Sequence, residues 1–261
     1  MPRLPTLFVS HGAPNLVLHN SEAKRFLAGF AADLPRPKAI LVASAHFDTP
    51  VPAATADARP ETVHDFRGFE PELYRMTYPA PGAPDLAERA TALLAEAGFA
   101  AQPLAGHGYD HGTWVPLKLL YPEADIPVVQ LSIQSRQGPE HHLKVGEALR
   151  PLAEEGVLVV GSGALTHNLH EFFRGGYAAD APAPEWVSAF GEWMRERIEA
   201  GERDDLVHYR SRASHGAANH PTEEHLLPLF VALGASGEGR GQRVHTSRQY
   251  GVLMMDAYRF G

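Results

Sequence analysis

Histidine dominates the chemistry available to this chain. The 261 residues include fifteen histidines and no cysteine. Imidazole is the commonest metal ligand in proteins and the side chain best suited to carry protons near neutral pH. The lack of cysteine excludes thiolate nucleophiles, disulfides and cysteine-based zinc or iron–sulfur sites. Any bound metal must therefore be held by imidazole, carboxylate or water.

Three histidines follow short apolar runs of the kind that form strands buried on both faces of a parallel sheet. They are His11 after Leu4 to Ser10, His46 after Lys38 to Ala45, and His167 a few residues after Gly156 to Gly161. Each histidine alone could merely cap a loop. Because the carboxyl ends of parallel strands meet at one edge of a sheet, the three together favour a shared site.

Two further histidine clusters are less clearly tied to strands. In the segment 107–114 (HGYDHGTW), Asp110 and Trp114 stand beside His111, where they could orient the imidazole and line an aromatic pocket. The segment 215–225 (HGAANHPTEEH) places His225 inside a helix predicted to begin near Thr222. The alternative for both clusters is a polar loop with solvated histidines.

Other histidines give weaker signals. For His215 and His220 the solvated alternative is favoured, and the pair 141–142 at a predicted helix start is expected to be exposed. His64, followed by Asp65 and Phe66, could reach the site only if its loop folds over it.

Strand and helix patterns alternate along the chain. The predicted strands are the three above, Ile126 to Ile133, and a final edge strand over Val252 to Tyr258; the predicted helices are Ser21 to Leu34, Pro84 to Ala97, Glu140 to Glu155, Glu185 to Ala200 and Thr222 to Leu233. This alternation predicts one α/β domain over residues 1–261, with a largely parallel or mixed sheet flanked by helices. The active site is expected at the carboxyl ends of the strands.

Two long segments rich in proline and glycine interrupt this pattern. They are Thr49 to Gly68 and Phe172 to Pro184. Segments of this length indicate lids or substrate walls, although they are equally compatible with plain surface connections.

The charge and hydropathy patterns limit the partners. The net charge is -8 and the pI is near 6.0, and no lysine or arginine stripe is present, so nucleic acid is not an expected partner. The apolar stretch that ends at Ser10 is too short for a secretory signal, and no run approaches the length of a membrane span. These patterns predict a cytoplasmic protein that does not bind membranes.

Three neutral imidazoles with open coordination positions suit Fe(II), Zn(II), Co(II) or Mn(II), and ligand type alone does not choose among them. Zinc would generate a hydroxide for hydrolysis, whereas iron would also bind and activate O₂. A spare histidine beside the metal would serve as acid or base. The residues alone leave hydrolysis and oxygen chemistry open.

The chain resembles the 4,5-DOPA extradiol dioxygenase family, a group of class III extradiol ring-cleavage dioxygenases. The resemblance rests on eight ordered motifs that extend over nearly the whole chain: SHGAP, SAHF, HDFRGF, YPAPG, GYDHGTW, PVVQLSI, SGALTHNL and PTEEHLLPL. An ordered set of this kind is far more specific than any single histidine.

The resemblance implies roles for five histidines. His11, His46 and His225 are the implied metal ligands, with His225 in place of the carboxylate of other class III enzymes. The implied role of His167 is acid/base or additional ligand, and His111 would bind substrate or dioxygen and assist proton transfer. Asp110, Trp114 and Asn168 are expected to line the substrate pocket or to support these groups.

The implied reaction is insertion of O₂ into a catechol-type ring, DOPA-like or otherwise substituted, to give a ring-opened semialdehyde. Fe(II) is expected for activity, Zn(II) is possible as the bound ion, and no organic cofactor is expected. A homodimer is also compatible with the family. The competing hypotheses are a zinc-dependent hydrolase and a non-catalytic metal-binding relative of the same fold.

Overall fold

The computed structural model describes residues 3–261, so Met1 and Pro2 lie outside the described part. The strands are β1 (Thr6–Ser10), β2 (Ala39–Asp48), β3 (Ala53–Thr55), β4 (Gln102–Leu104), β5 (Val128–Ile133), β6 (Val157–Gly163), β7 (Gln242–His245), β8 (Arg248–Gln249), β9 (Leu253–Met254) and β10 (Ala257–Phe260). The helices are α1 (Glu22–Phe30), α2 (Pro84–Glu96), α3 (His111–Leu120), α4 (Gly138–Leu149), α5 (Pro151–Glu154), α6 (Leu169–Arg174), α7 (Glu185–Ala200), α8 (Arg203–Val207), α9 (Tyr209–Arg212), α10 (Gly216–Asn219) and α11 (Leu227–Ser236). None of the helices within residues 3–261 is both long and apolar enough to cross a membrane.

A mixed sheet forms the centre of the fold. Over residues 3–261 it contains eight strands in the order β4-β3-β5-β2-β6-β1-β10-β7. The central strands β5, β2, β6 and β1 are parallel, whereas β10 pairs antiparallel with β1, and β3 pairs antiparallel with β5. The predicted fold class, a single α/β domain with a mixed sheet, is confirmed. The carboxyl ends of β1, β2 and β6 consequently lie at the same edge.

Helices cover both faces of this sheet because its central strands are apolar on both sides. Side chains on one face of β2, β5 and β6 pack against α2, α4 and α11, and those on the other face pack against α1 and α3. Helix α11 is buried along its whole length. A helix that is apolar all round belongs in the interior of a protein, and α11 lies there between the sheet and α4.

Several predicted elements have different bounds in the structure. Strand β2 continues to Asp48, so His46 lies within the strand rather than after it. The predicted strand 252–258 is divided into β9 and β10, separated by Met255 and the buried Asp256, whose carboxylate accepts a hydrogen bond from Thr246 Oγ1 at 2.9 Å. The predicted helix 140–155 is divided into α4 and α5 at Pro151, which has no N–H to continue the helical hydrogen bonding.

Near the site, one predicted helix begins later than expected and another helix was not predicted. The helix predicted from Thr222 begins at Leu227, so His225 precedes it in a turn. Pro228 explains the shift, because proline fits the first turn of a helix and not its interior. Helix α3 was not predicted, and the alternative considered for the segment 107–114 was a polar loop; the Asp110 side chain caps this helix by accepting from Thr113 N at 3.1 Å.

Two glycines allow α4 and α11 to pack with their backbones close together. A Cβ atom on Gly146 would lie 2.2 Å from Val231 O, and one on Gly234 would lie 2.1 Å from Leu143 O. These contacts are between a side-chain position and a rigid helix backbone, so a larger residue would force the helices apart.

The variant Gly146→Ala should therefore lower the free energy of unfolding by about 1–3 kcal/mol, the usual effect of overpacking. Gly29→Ala in α1 is the matched control, because its Cβ would meet nothing within 4 Å. Helix propensity should make this control more stable by about 0.5–1 kcal/mol. Urea denaturation measures both changes, and equal effects of the two substitutions would contradict the close approach of α4 and α11.

Candidate metal centre

Five histidine rings meet at the carboxyl edge of the sheet. The ring centroids of His11 and His46 are 5.0 Å apart, and those of His46 and His111 are 3.9 Å apart. His225 lies 4.9 Å from His46, and His167 stacks on His225 at 3.4 Å. The histidines singled out from the sequence are thus brought together, although they are separated by up to 214 positions along the chain.

Different elements present these rings. His11 directly follows β1, His46 is near the end of β2, and His111 is the first residue of α3. His167 lies in the loop between β6 and α6, and His225 lies in the turn before α11. The fold therefore delivers each side chain from a separate backbone segment, and no single loop supplies the whole cluster.

The segment that carries His167 is fastened to the segment that carries His225. The backbone N–H of Ala164 donates to His225 O, and that of His167 donates to Asn219 O, both at 2.9 Å. A Cβ on Gly163 would lie 2.0 Å from His225 O. Only glycine permits this approach, which accounts for its position immediately before the histidine loop.

The protonation of His11 is fixed by its neighbours. The Ser162 hydroxyl donates to Gly112 O, so its oxygen is free to accept a hydrogen bond from His11 Nδ1 at 3.0 Å. With the proton on Nδ1, the Nε2 atom of His11 carries a lone pair. Such outer hydrogen bonds are how proteins set the tautomer of a metal-ligating histidine.

The cluster fits a cation. His11 Nε2 lies 3.1 Å from His46 Nε2, and a lone pair at that distance requires a proton or a metal ion between the two nitrogens. Two groups of three side chains each offer ligand atoms that lie within 4.8 Å of one another. The first group is His11, His46 and His111, and the second is His167, Glu224 and His225. Imidazole and carboxylate donors without thiols suit Fe(II), Zn(II), Co(II) or Mn(II).

Four of the site histidines, His11, His46, His167 and His225, are neutral at pH 7 because they are buried. Burial lowers the pKa of His46 to about 3 and that of His167 to about 4. Burial, together with the neighbouring imidazoles, holds the pKa values of His11 and His225 well below their ordinary range. Neutral imidazole is the form that binds a metal ion, so the cluster is ready for a ligand role without losing protons.

Two carboxylates lie close to Nδ1 atoms of the site histidines. Asp65 accepts from His111 Nδ1 at 2.9 Å and lies 3.8 Å from His46 Nδ1. Burial raises the pKa of Asp65, but the hydrogen bond and charge of His111 outweigh it and lower the pKa to about 2. Glu224 is 3.1 Å from His225 Nδ1. From the sequence, Asp65 could reach the site only if its loop folded over that site. In the structure the loop does so.

The three residues expected to line the pocket make hydrogen bonds to other partners. Asp110 accepts from Ser44 Oγ and Gln130 Nε2, both at 2.7 Å, and burial raises its pKa to about 6. Trp114 is fully buried and donates to Val63 O at 3.0 Å. Asn168 caps α6 by accepting from Glu171 N at 3.0 Å. The carboxylate in contact with the His111 imidazole is thus Asp65, not Asp110.

Two histidines expected to be solvated are buried instead. The Nε2 atom of His220 lies 2.8 Å from Leu165 O. The Nε2 atom of His142 accepts a hydrogen bond from Gln134 N at 3.0 Å. Hydrogen bonds to the backbone make their burial tolerable, and this could not be read from a local polar sequence. His215 is exposed, as predicted.

A thiol-free cluster of neutral imidazoles at the carboxyl edge of an α/β sheet has the composition of a metal-dependent enzyme site. Residues 7–261 match the family model described as the catalytic LigB subunit of aromatic ring-opening dioxygenase. The chain belongs to this family. It is therefore an oxidoreductase of the dioxygenase class, in a family whose members use a non-haem metal, an aromatic substrate and O₂.

Individual relatives agree with this assignment. The chain is 42% identical to a 4,5-DOPA dioxygenase extradiol of Beta vulgaris, over 98% of this chain and 96% of the relative. It is 40% identical to the protein of the same name from Escherichia coli K12, over 89% of this chain and 85% of that one. A crystal structure of an uncharacterized Escherichia coli K12 protein superposes with a TM-score of 0.82 at 35% identity, covering 99% of this chain and 100% of that one. The resemblance drawn from the motifs is confirmed.

The neutral state of the cluster predicts acid sensitivity of the metal-free protein. The unfolded chain takes up protons on His46 and His167 near pH 6.5, whereas the folded chain does so only near pH 3 and pH 4. The free energy of unfolding should therefore fall as the pH is lowered from 7 to 5, by about 1.4 kcal/mol per pH unit for each such residue below pH 6.5.

Urea denaturation of metal-free protein at pH 7, 6 and 5 measures this slope. His167→Gln removes one of the titrating groups. The slope of its free energy of unfolding against pH should be shallower by about 1.4 kcal/mol per pH unit, the contribution of one proton. A free energy of unfolding that stays constant from pH 7 to pH 5 would contradict burial of neutral histidines.

Proposed function

We propose that this protein is an extradiol dioxygenase that opens a catechol-type ring, DOPA-like or otherwise substituted, to a semialdehyde, with Fe(II) as the active metal. The observation that carries the proposal is the convergence of five histidines, from five separate segments, on one cluster that requires a proton or cation at its centre. Membership of the ring-opening dioxygenase family supports the type of reaction.

In this proposal His11, His46 and His225 hold the metal, and His167 is either a further ligand or an acid/base. The bound metal would supply Lewis acidity for the diol and a site for O₂. The chain's own contribution is to keep these nitrogens unprotonated, which burial achieves, and to orient His11 through Ser162. No ligand needs to release a proton at neutral pH.

Proton transfer falls to His167 and His111. His167 is neutral at pH 7, because burial lowers its pKa to about 4, and it stacks on the proposed ligand His225. A neutral imidazole next to the metal can accept the proton that a catechol hydroxyl loses on binding. The ring centroid of His111 lies 3.9 Å from that of His46, where His111 could act on the substrate or on dioxygen.

Oxygen uptake tests the proposed function. Metal-free protein, loaded anaerobically with Fe(II), should consume oxygen on addition of L-DOPA, protocatechuate or a simple catechol and should yield a coloured semialdehyde. Zn(II)-loaded protein is the control and should not consume oxygen, since zinc has no redox chemistry. Hydrolysis of ester substrates by the zinc form without oxygen uptake by the iron form would favour the hydrolase hypothesis, and inactivity of both forms would favour a non-catalytic relative.

A pair of variants separates metal binding from proton transfer. His46→Ala should lose both metal and turnover, whereas His167→Ala should keep much of the metal and lose about 10²- to 10⁴-fold in kcat, the usual contribution of general acid–base catalysis. Elemental analysis beside oxygen uptake measures both quantities. Equal loss of metal in the two variants would mean that His167 is chiefly a ligand.

A further inference from the structure

Asp65 lies on a loop that is firmly attached to the segment before α3. The Val63 N–H donates to Tyr109 O at 2.8 Å, and the Tyr109 N–H donates to Glu61 O at 2.7 Å. The Trp114 indole donates to Val63 O at 3.0 Å, only two residues from Asp65. The predicted lid segment is therefore held in place near Asp65 by three hydrogen bonds, and the carboxylate has a defined position.

Both oxygens of Asp65 contact the same residue. Oδ1 accepts from the His111 backbone N–H at 3.0 Å, and Oδ2 accepts from His111 Nδ1 at 2.9 Å. A carboxylate can only accept hydrogen bonds, so the imidazole proton must lie on Nδ1. This two-point contact fixes the rotation of the ring and leaves His111 Nε2 with a free lone pair.

We propose that Asp65 is a positioning residue for His111, which it holds as the Nδ1–H tautomer so that Nε2 acts as the proton acceptor toward substrate or dioxygen. The proposal rests on the proposed function, because it assigns His111 a role in the same reaction. Asp65 acts through its two hydrogen bonds to His111. Its second neighbour, His46 Nδ1 at 3.8 Å, is beyond hydrogen-bond distance, so His111 is the residue through which Asp65 acts.

Asp65→Asn distinguishes this role from simple attachment of the loop. The His111 backbone N–H still needs an acceptor, so the amide oxygen stays on it and the amide NH₂ faces Nδ1. An NH₂ group can only donate, and the imidazole must then shift its proton to Nε2. The variant thus keeps two hydrogen bonds to the loop while it reverses the tautomer.

Asp57 provides a matched control on the same loop. Its Oδ2 accepts from the Gly106 N–H at 2.6 Å. Like Asp65 it fastens the loop to the segment before α3, but none of its described hydrogen bonds involves a site histidine. Asp57→Asn therefore tests loop attachment without a change of tautomer.

The experiment combines nitrogen NMR with kinetics. Long-range ¹H–¹⁵N spectra of the Zn(II)-loaded protein report the tautomer of each histidine, and the signals of His111 are assigned by their loss in His111→Gln. We expect Nδ1–H in the wild type and in Asp57→Asn, and Nε2–H in Asp65→Asn. With Fe(II), kcat of Asp65→Asn should fall about 10- to 100-fold at nearly unchanged KM and metal content, the usual size of such outer hydrogen-bond effects.

Two results would overturn the proposal. One is an unchanged His111 tautomer in Asp65→Asn. The other is an equal loss of kcat in Asp57→Asn, which would mean that Asp65 only attaches the loop. If no catechol is consumed by the wild type, the proposed function fails, but the NMR spectra still decide whether Asp65 sets the tautomer.

Discussion

The site depends on keeping several imidazoles uncharged within a few ångströms of one another. Two protonated imidazoles at the distance of His11 and His46 would repel strongly, and burial removes the water that would screen them. The structure meets this requirement by desolvation and by acceptors for the Nδ1 protons. The Ser162 hydroxyl accepts from His11, and the Asp65 carboxylate accepts from His111. The Glu224 carboxylate lies beside His225. The other ring nitrogens are then free to act as ligands or as proton acceptors.

The sheet makes this arrangement possible because parallel strands end at one edge. The adjacent strands β1, β6 and β2 bring His11, the His167 loop and His46 side by side, and the buried helices on both faces hold the strands rigidly. The remaining groups come from segments packed over that edge. The two carboxylates, Asp65 and Glu224, lie at its rim with about one quarter of each side chain exposed.

The sequence predicted the parts of the site that follow from local pattern. His11, His46 and His167 each lie near the end of an apolar strand, and the continuous apolar runs locate them. His225 was assigned by resemblance alone, because it lies in a turn whose position depends on Pro228 and on the packing of α11. The contact of Asp65 with His111 joins residues 46 positions apart through a loop with no periodic pattern, so only the folded chain reveals it.

The bridge made by the Ser162 hydroxyl has a consequence for assembly. It links Gly112 and His11, which are separated from Ser162 by 50 and 151 positions. Contacts so distant in sequence close long loops, and the sheet and its helices must offset the entropy that this closure costs. The position of the His11 ring therefore depends on three distant parts of the chain being folded together. An ion that bound this arrangement and not the unfolded chain would stabilise the native state.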